Sequence, residues 1–255
     1  MDALVLAGAK IVDKIENHNK LTNKSLLMLN DIPMIEYVVD ALNQAEEVND
    51  IIVVGPPELS QYIEPKVNKI LTSTESIIDN IKIGIDYIHK ENKIILLTSD
   101  IPLITGEVID RFIRKCQEYE AFLYYPFILK ENILQKYPDT VRSYAVLKEG
   151  ILCGGNAVVF SPELFEKNRD LILDLYEKRK SVYQYVKLLG FKFILKYLLK
   201  SLTIQEIEDR AAEIVGYPVK GIVIDDPEMM IDLDKLSDYE LILRMISQNN
   251  RNPIG

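Results

Sequence analysis

The sequence contains no tryptophan, and only two cysteines and two histidines among 255 residues. Cys116 and Cys153 are too few for a disulfide framework and have no metal-ligand spacing, so reduced thiols in a cytoplasmic protein are expected. His18 and His89 are too few to build a histidine-based metal centre. No apolar run reaches about 18 residues, so no membrane span is expected. No signal peptide is expected either, because the first residues already read as a strand. Asn23-Lys24-Ser25 fits a glycosylation pattern, which means little without a secretion signal. The net charge of -9 argues against a nucleic-acid surface. A phosphate ligand would need a local cationic pocket, usually with a metal. No Gly-x-x-x-x-Gly-Lys-Ser/Thr loop is present, which argues against a P-loop kinase or ATPase.

What is present reads as an ordinary globular chain, 48% hydrophobic and 27% charged. Asp2 to Ala7, Ile51 to Val54 and Lys93 to Thr98 read as strands, with a short one near Lys69 to Leu71. Their apolar runs lack polar alternation, as in strands covered on both faces. Helices are predicted from Met34 to about Ala45, from Glu75 to His89 and from about Gly106 to Glu118. The βαβα order implies an α/β fold with a mostly parallel, doubly wound sheet. Further strands are predicted at 122–127, 143–147, 152–160 and 219–224, with Lys148-Glu149-Gly150 as a turn. Residues from about 162 to 216 read as a helical insertion in a single domain spanning 1–255. Capping boxes are predicted at Thr203–Glu206 and Ser237–Glu240, and a frayed tail from Gln248. Lys192, Lys196 and Lys200 form a cationic stripe on an apolar helix, which suits packing on the sheet or a partner better than a membrane surface.

The most pointed residue is Asp100. It follows the strand Lys93 to Thr98 after a single serine, Ser99, and Pro102 stiffens the turn behind it. Open α/β sheets bind ligands at the carboxyl ends of their strands, so Asp100 is a candidate metal ligand facing a crevice. Two other segments match it. One is Leu6-Ala7-Gly8-Ala9-Lys10, closing at Asn23-Lys24-Ser25-Leu26. The other is Asp232-Leu233-Asp234-Lys235-Leu236-Ser237-Asp238.

Together these segments resemble the nucleotidyltransferases of the glycosyltransferase-A-like fold, particularly the group around molybdenum cofactor guanylyltransferase. Leu6-Ala7-Gly8-Ala9 matches the family's opening Leu-Ala-Gly-Gly. Lys24 precedes Leu26-Leu27-Met28-Leu29-Asn30-Asp31-Ile32-Pro33-Met34, which fits its "leu-x-x-leu-x-gly-x-pro-met". Asp100 matches a metal-binding "asp-x-pro-leu", and Asp232 to Asp238 a late "asp-ile-asp-thr-pro-glu-asp". The likeness covers most of 1–125 and 218–246. It implies a nucleotide-diphospho-sugar transferase-like sheet and Mg²⁺-dependent transfer of an NMP unit from an NTP to a small phosphorylated acceptor, with release of pyrophosphate. By position it makes Asp100 and Asp234 the metal ligands and Lys24 the catalytic cation. Leu6, Ala7, Gly8, Ala9, Lys10 and Lys24 would meet the nucleotide phosphates.

The chemistry suits these residue types. An anionic nucleophile must approach an anionic α-phosphate, so charge has to be neutralised and the groups aligned. Mg²⁺ prefers one or two carboxylates plus phosphate oxygens and water, and needs no histidine. The chain departs from the family in the loop after Gly8, which has no second glycine and no arginine; Lys10, Lys14 and Lys20 are its cations. Thr74 and Ser76 are candidate nucleotide contacts, with N-cap duty explaining one of them. Gly154, Gly155, Asn156 and Arg142 are candidate acceptor contacts, as is the pair Arg179-Lys180; strand-bend glycines are an equal reading of the first two. Tyr124 and Tyr125 read as core. A degenerate nucleotide-binding module, or a glycosyltransferase of the same fold, are the alternatives. The late position of the only Asp-x-Asp, Asp232-Leu233-Asp234, counts mildly against the glycosyltransferase. The nucleobase, the acceptor and oligomeric state, a homodimer included, are open at this level.

Overall fold

The computed structural model describes residues 1–10, 23–88, 92–177 and 189–249. The strands are β1 (Asp2–Leu6), β2 (Met28–Leu29), β3 (Ile32–Pro33), β4 (Ile51–Gly55), β5 (Lys69–Thr72), β6 (Ile94–Thr98), β7 (Leu123–Leu129), β8 (Ala145–Leu147), β9 (Gly150–Gly154), β10 (Ala157–Phe160) and β11 (Val219–Ile224). All but β2 and β3 join one sheet, in the order β5-β4-β1-β6-β10-β7-β9-β8, with β11 also paired to β7. The first four of that order run parallel. β10 then inserts antiparallel between β6 and β7, and β9 and β8 continue antiparallel. The sheet is therefore α/β and doubly wound as expected, but mixed beyond β6.

Burial on both faces explains the continuous apolar runs. In β1, Ala3 and Val5 face one side, with the helices Met34–Gln44 and Gly106–Gln117. Leu4 and Leu6 face the other, with the helices Ile77–Tyr87 and Pro162–Glu177. That alternation is the two-residue period of a strand. A third cluster brings Leu27, Leu29, Met34 and Leu103 against Ile231, Leu233 and the last helix, Leu236–Asn249. It binds together the three chain segments that carry Lys24, Asp100 and Asp234.

Two local features differ from expectation or sharpen it. The last helix begins at Leu236, not behind a Ser237–Glu240 capping box. Asp238 instead turns its carboxylate back to accept from the Asp234 and Lys235 N–H groups, each at 3.1 Å. A carboxylate outcompetes a hydroxyl for those donors because its hydrogen bonds are charge-assisted. The Thr203–Glu206 box is formed as expected. Between the pairs Tyr124↔Val159 and Phe127↔Gly154, three steps along β7 face five along its partner. Gly154-Gly155-Asn156 is thus a bulge that carries the chain from β7 across to β6.

Helix-to-helix contact here leaves no room for a side chain at Gly106. A Cβ there would stand 2.8 Å from the Gln44 carbonyl carbon and 2.9 Å from the Ala45 nitrogen, which are backbone atoms. Gly106→Ala should lower stability by about 1–3 kcal/mol, the usual cost of overpacking, despite alanine's better helix propensity. Thermal unfolding of the variant against the parent checks this; an unchanged midpoint would contradict it.

The lysine stripe lies partly in the helix Phe191–Leu198. Phe193 packs onto a small cluster with Leu147, Leu152, Leu202 and Ile204, and Lys196 pairs with Glu206. No helix among the described residues is long and apolar enough to cross a membrane. Lys14, Lys20, His18, His89, Arg179, Lys180 and the tail from residue 250 lie outside the described residues.

Candidate active site

The carboxyl edge of β1 and β6 positions two charged residues through their small neighbours. Ala7 leaves β1 with a free carbonyl, which accepts from Asn23 Nδ2 at 2.8 Å and Ser25 Oγ at 3.1 Å. Asn23 Oδ1 in turn accepts from the Ser25 N–H at 2.8 Å. Lys24 sits between these two buried anchors, and its own N–H reaches the Ala9 carbonyl at 2.9 Å. Ser99 Oγ lies 2.7 Å from Ser25 Oγ. With the Ser25 hydroxyl donating to Ala7, Ser99 is left to donate to Ser25. The paired serines adjoin the charged residues in the chain: Lys24 precedes Ser25, and Asp100 follows Ser99.

Lys24 Nζ donates to Asp100 Oδ2 at 2.5 Å and to Asp234 Oδ1 at 2.8 Å. The three residues come from opposite parts of the chain, and the Leu233 N–H to Asp100 carbonyl bond, 2.9 Å, splices two of them. The Lys24 and Asp100 side chains are 11% and 16% exposed, whereas Asp234 is 64% exposed. Burial alone would depress the Lys24 ammonium, but the two carboxylates outweigh it and hold its pKa above the usual range. Burial would raise Asp234, yet its bonds to Lys24 hold it below the carboxylate norm. Asp100 Oδ1 is buried with no hydrogen-bond partner among the described residues. Among those residues no group of three or more His, Cys, Asp or Glu side chains forms a metal cluster.

Behind Asp234 lies a second network. Arg142 Nη1 donates to Asp232 Oδ1 at 2.6 Å, and Nη2 to the Asp232 carbonyl at 2.9 Å; Nη2 also stands 3.3 Å from Asp238 Oδ1. Asp238 holds the Asp234 N–H, so Arg142 fixes the loop that presents Asp234. Burial pushes Asp232 up to about 6, against the pull of Arg142, with the Asp234 and Asp100 charges adding to the rise.

A cleft of about 600 Å³ opens beside Asp100. Leu6, Gly8, Ala9, Lys10 and Asn23 line one side of it, with Thr98 and Ser99 nearby. Ser73, Thr74 and Asn80 form another wall. The buried Asn80 amide shapes that turn: Oδ1 accepts from the Thr74 N–H at 2.6 Å and Nδ2 donates to the Thr74 carbonyl at 3.1 Å. Gly8 runs close against it; a Cβ on Gly8 would lie 3.1 Å from Asn80 Nδ2 and from Ser73 Cβ. Across the mouth Lys10 pairs with Glu75 at 2.6 Å, both highly exposed.

The sequence-predicted residues therefore separate. Leu6, Gly8, Ala9, Lys10, Thr74 and Asp100 line the cleft, and Lys24 and Asp234 adjoin it through Asp100. Ser76 accepts from the Asp79 N–H and caps its helix. The Gly155 and Asn156 N–H groups are occupied by the Pro126 and Met229 carbonyls, and a Cβ on Gly154 would run into the Tyr125 ring. These glycines shape the bulge, and Arg142 is 9% exposed and engaged by aspartates. Tyr124 is core, as expected; Tyr125 lies at the surface beside Gly154. Ser99, Asn80 and Tyr176 also line the cleft, with Ser25 buried behind Ser99, and no role for these four is expected from the sequence.

The model of the MobA-like NTP transferase domain matches residues 18–188. The chain belongs to the MobA-like NTP transferase family. A Thermus thermophilus structure titled as a hypothetical transferase superimposes on this family member with a TM-score of 0.84 and 30% identity, covering 93% of this chain and 98% of that one. The 2-C-methyl-D-erythritol 4-phosphate cytidylyltransferase of Clostridium botulinum is 25% identical over 190 residues, 71% of this chain and 79% of its own. A CMP:2-keto-3-deoxy-manno-octonic acid synthetase solved with CTP shares the fold, with a TM-score of 0.63 at 15% identity over 98% of this chain and 100% of its own. The MobA-like fold and membership place the chain among nucleotidyltransferases, whose general chemistry is transfer from an NTP.

Proposed function

We propose that this chain transfers an NMP unit from an NTP to a small phosphorylated acceptor and releases pyrophosphate. The observation that carries the reading is the Lys24 ammonium held between Asp100 and Asp234 at the wall of a cleft of about 600 Å³. Two carboxylates converging on one cationic point, one with a buried oxygen that has no partner among the described residues, suit a Mg²⁺ ion shared with phosphate oxygens. Asp100 and Asp234 would hold that ion, which neutralises phosphate charge and orients the triphosphate. The turn of Gly8, Ala9 and Lys10 offers backbone N–H groups and a cation to the outer phosphates. Lys24, held beside Asp100 at the cleft, would stabilise charge developing at the α-phosphate. An oxygen of the acceptor phosphate forms the new bond to the α-phosphorus. The bond from that phosphorus to the bridging oxygen breaks, and pyrophosphate leaves with its electron pair. No proton has to move if the attacking phosphate is fully ionised.

The 4-phosphate in the name of the Clostridium botulinum relative supports a phosphorylated acceptor, and cytidylyl in the same name makes CTP the first nucleotide to try. A thermal-shift screen of CTP, GTP, ATP and UTP, each with and without Mg²⁺, tests the donor. Saturation at 100 times Kd would add roughly 2.7 kcal/mol of stability. The expected result is a Mg²⁺-dependent rise for one NTP that Asp100→Asn abolishes, and pyrophosphate release when sugar- or polyol-phosphates are added. Binding without pyrophosphate release across the acceptor panel would replace the transferase with a nucleotide-binding module.

A further inference from the structure

The helical insertion has so far no part in the site, yet one of its residues reaches the cleft. β10 runs antiparallel to β6, and its last residue, Phe160, pairs with Ile94 at the start of β6. The helix Pro162–Glu177 therefore sets out from the edge of the sheet opposite the site. Its sixteen residues span about 24 Å, more than the roughly 17 Å of a five-residue strand. Its far end is delivered to the carboxyl edge. Ile172 and Leu173 pack on the cluster that includes Ile78 and Ile85. Arg169 Nη2 clasps Asp79 Oδ1 at 2.8 Å, in the first turn of the helix Ile77–Tyr87. These contacts fix the last turn, where Tyr176 lines the same cleft as Asp100, Thr74 and Asn80 and keeps 38% of its surface exposed.

The cleft is thereby divided by chemistry. Near Asp100 and Lys10 it offers charge. Around the Ser73–Asn80 turn it offers Leu6, Pro56, Ile77 and an aromatic ring, with a turn of backbone polar groups pinned by Asn80; the cleft-lining carboxylate of that turn, Glu75, is turned to Lys10 at the mouth. A flat heteroaromatic ring with a polar edge fits that second half, and a phosphate does not. We propose that Tyr176 is a nucleobase-binding residue, its ring packing on the base of the NTP while the triphosphate runs toward Lys24 and Asp100. The proposal rests on the nucleotidyltransferase reading above and gives the insertion a role in holding the donor.

Because the chain has no tryptophan, Tyr176→Trp installs the only indole in the protein. Excited selectively, it should lose fluorescence on titration with the NTP that stabilises the wild type most, among CTP, GTP, ATP and UTP. Tyr176→Ala should weaken that NTP by about 10- to 100-fold, the loss typical of one stacked base, and Tyr176→Phe should restore it. Inorganic triphosphate serves as the baseless probe, and its affinity should be the same in wild type and Tyr176→Ala. If triphosphate weakens as much as the NTP, the ring only supports the fold and the proposal falls. If the wild type binds an NTP while the indole of Tyr176→Trp does not respond and Tyr176→Ala binds normally, the proposal falls and the nucleotidyltransferase reading stands. If the wild type binds none of the four NTPs, both fall together.

Discussion

Lys24→Met should reduce the rate of pyrophosphate release by about 10²- to 10³-fold, the range seen when one preorganised charge-stabilising donor is removed. Methionine keeps the length of the stem, which is largely buried, so the loss reports the ammonium and not the packing. The ammonium touches both carboxylates and has no other hydrogen-bonded task among the described side chains. Its pKa is raised, so it stays charged throughout the neutral range and its contribution to stability is present below about 10.5. That contribution is lost as pH climbs through the raised folded value. On the acid side, the depressed Asp234 gives stability above about 3.8 that disappears as pH falls through its lowered value. Between these limits Lys24 and Asp234 keep their charges, and the Lys24→Met defect should be flat with pH. Initial rates from pH 6 to 9 check it; a variant within threefold of wild type would remove Lys24 from the chemistry.

Arg142→Met should be the most destabilising of the substitutions considered, by about 3–5 kcal/mol. It strands Asp238, 2% exposed, and Asp232, 20% exposed, without their cation. For a chain of this size the fall in Tm would be on the order of 10 °C. The pH dependence distinguishes a lost charge partner from lost volume. Asp232 is already raised to about 6 with Arg142 beside it, and removing the guanidinium raises it further. A buried carboxylate with a raised pKa penalises the folded state above that pKa and not below the unfolded value. The gap between variant and wild type should therefore be widest at pH 8, narrow as the pH falls toward 6, and level off below it. A gap that stays constant over that range would assign the loss to packing.

What can be read from the sequence follows from how locally each feature is encoded. β1, β4 and β6 are legible because burial on both faces writes an uninterrupted apolar run. Asp100 is legible because a strand end and a proline bracket it. Lys24 emerges through its resemblance to a family motif; its clamp by Asn23 and Ser25 needs the Ala7 carbonyl, which no spacing rule reveals. Arg142 reads as an exposed acceptor contact because its partner Asp232 is 90 residues away. Asp238 displaces the expected cap at Ser237 for the same reason: a distant guanidinium holds it. Gly154-Gly155 reads equally as ligand contact and strand bend, and only the register of β7 against its two neighbours shows the bulge. Tyr176 looks like any apolar position on a helix, since its exposure depends on where the helix ends against the sheet.

The wide spacing of the Lys24 clamp also orders events in time. Lys24 meets Asp100 across 76 residues and Asp234 across 210. At ordinary elongation rates of about 5–20 residues per second, a growing chain carries Lys24 for roughly 10–40 s before Asp234 has been added. The parallel core from β1 to β6 can form in that interval, cleft wall included. The second carboxylate arrives only with the segment that docks Leu233 onto Asp100. On the proposed reading, a chain elongated only just past β6 carries Lys24 and the first carboxylate but not the second, so turnover waits for the segment that brings Asp234.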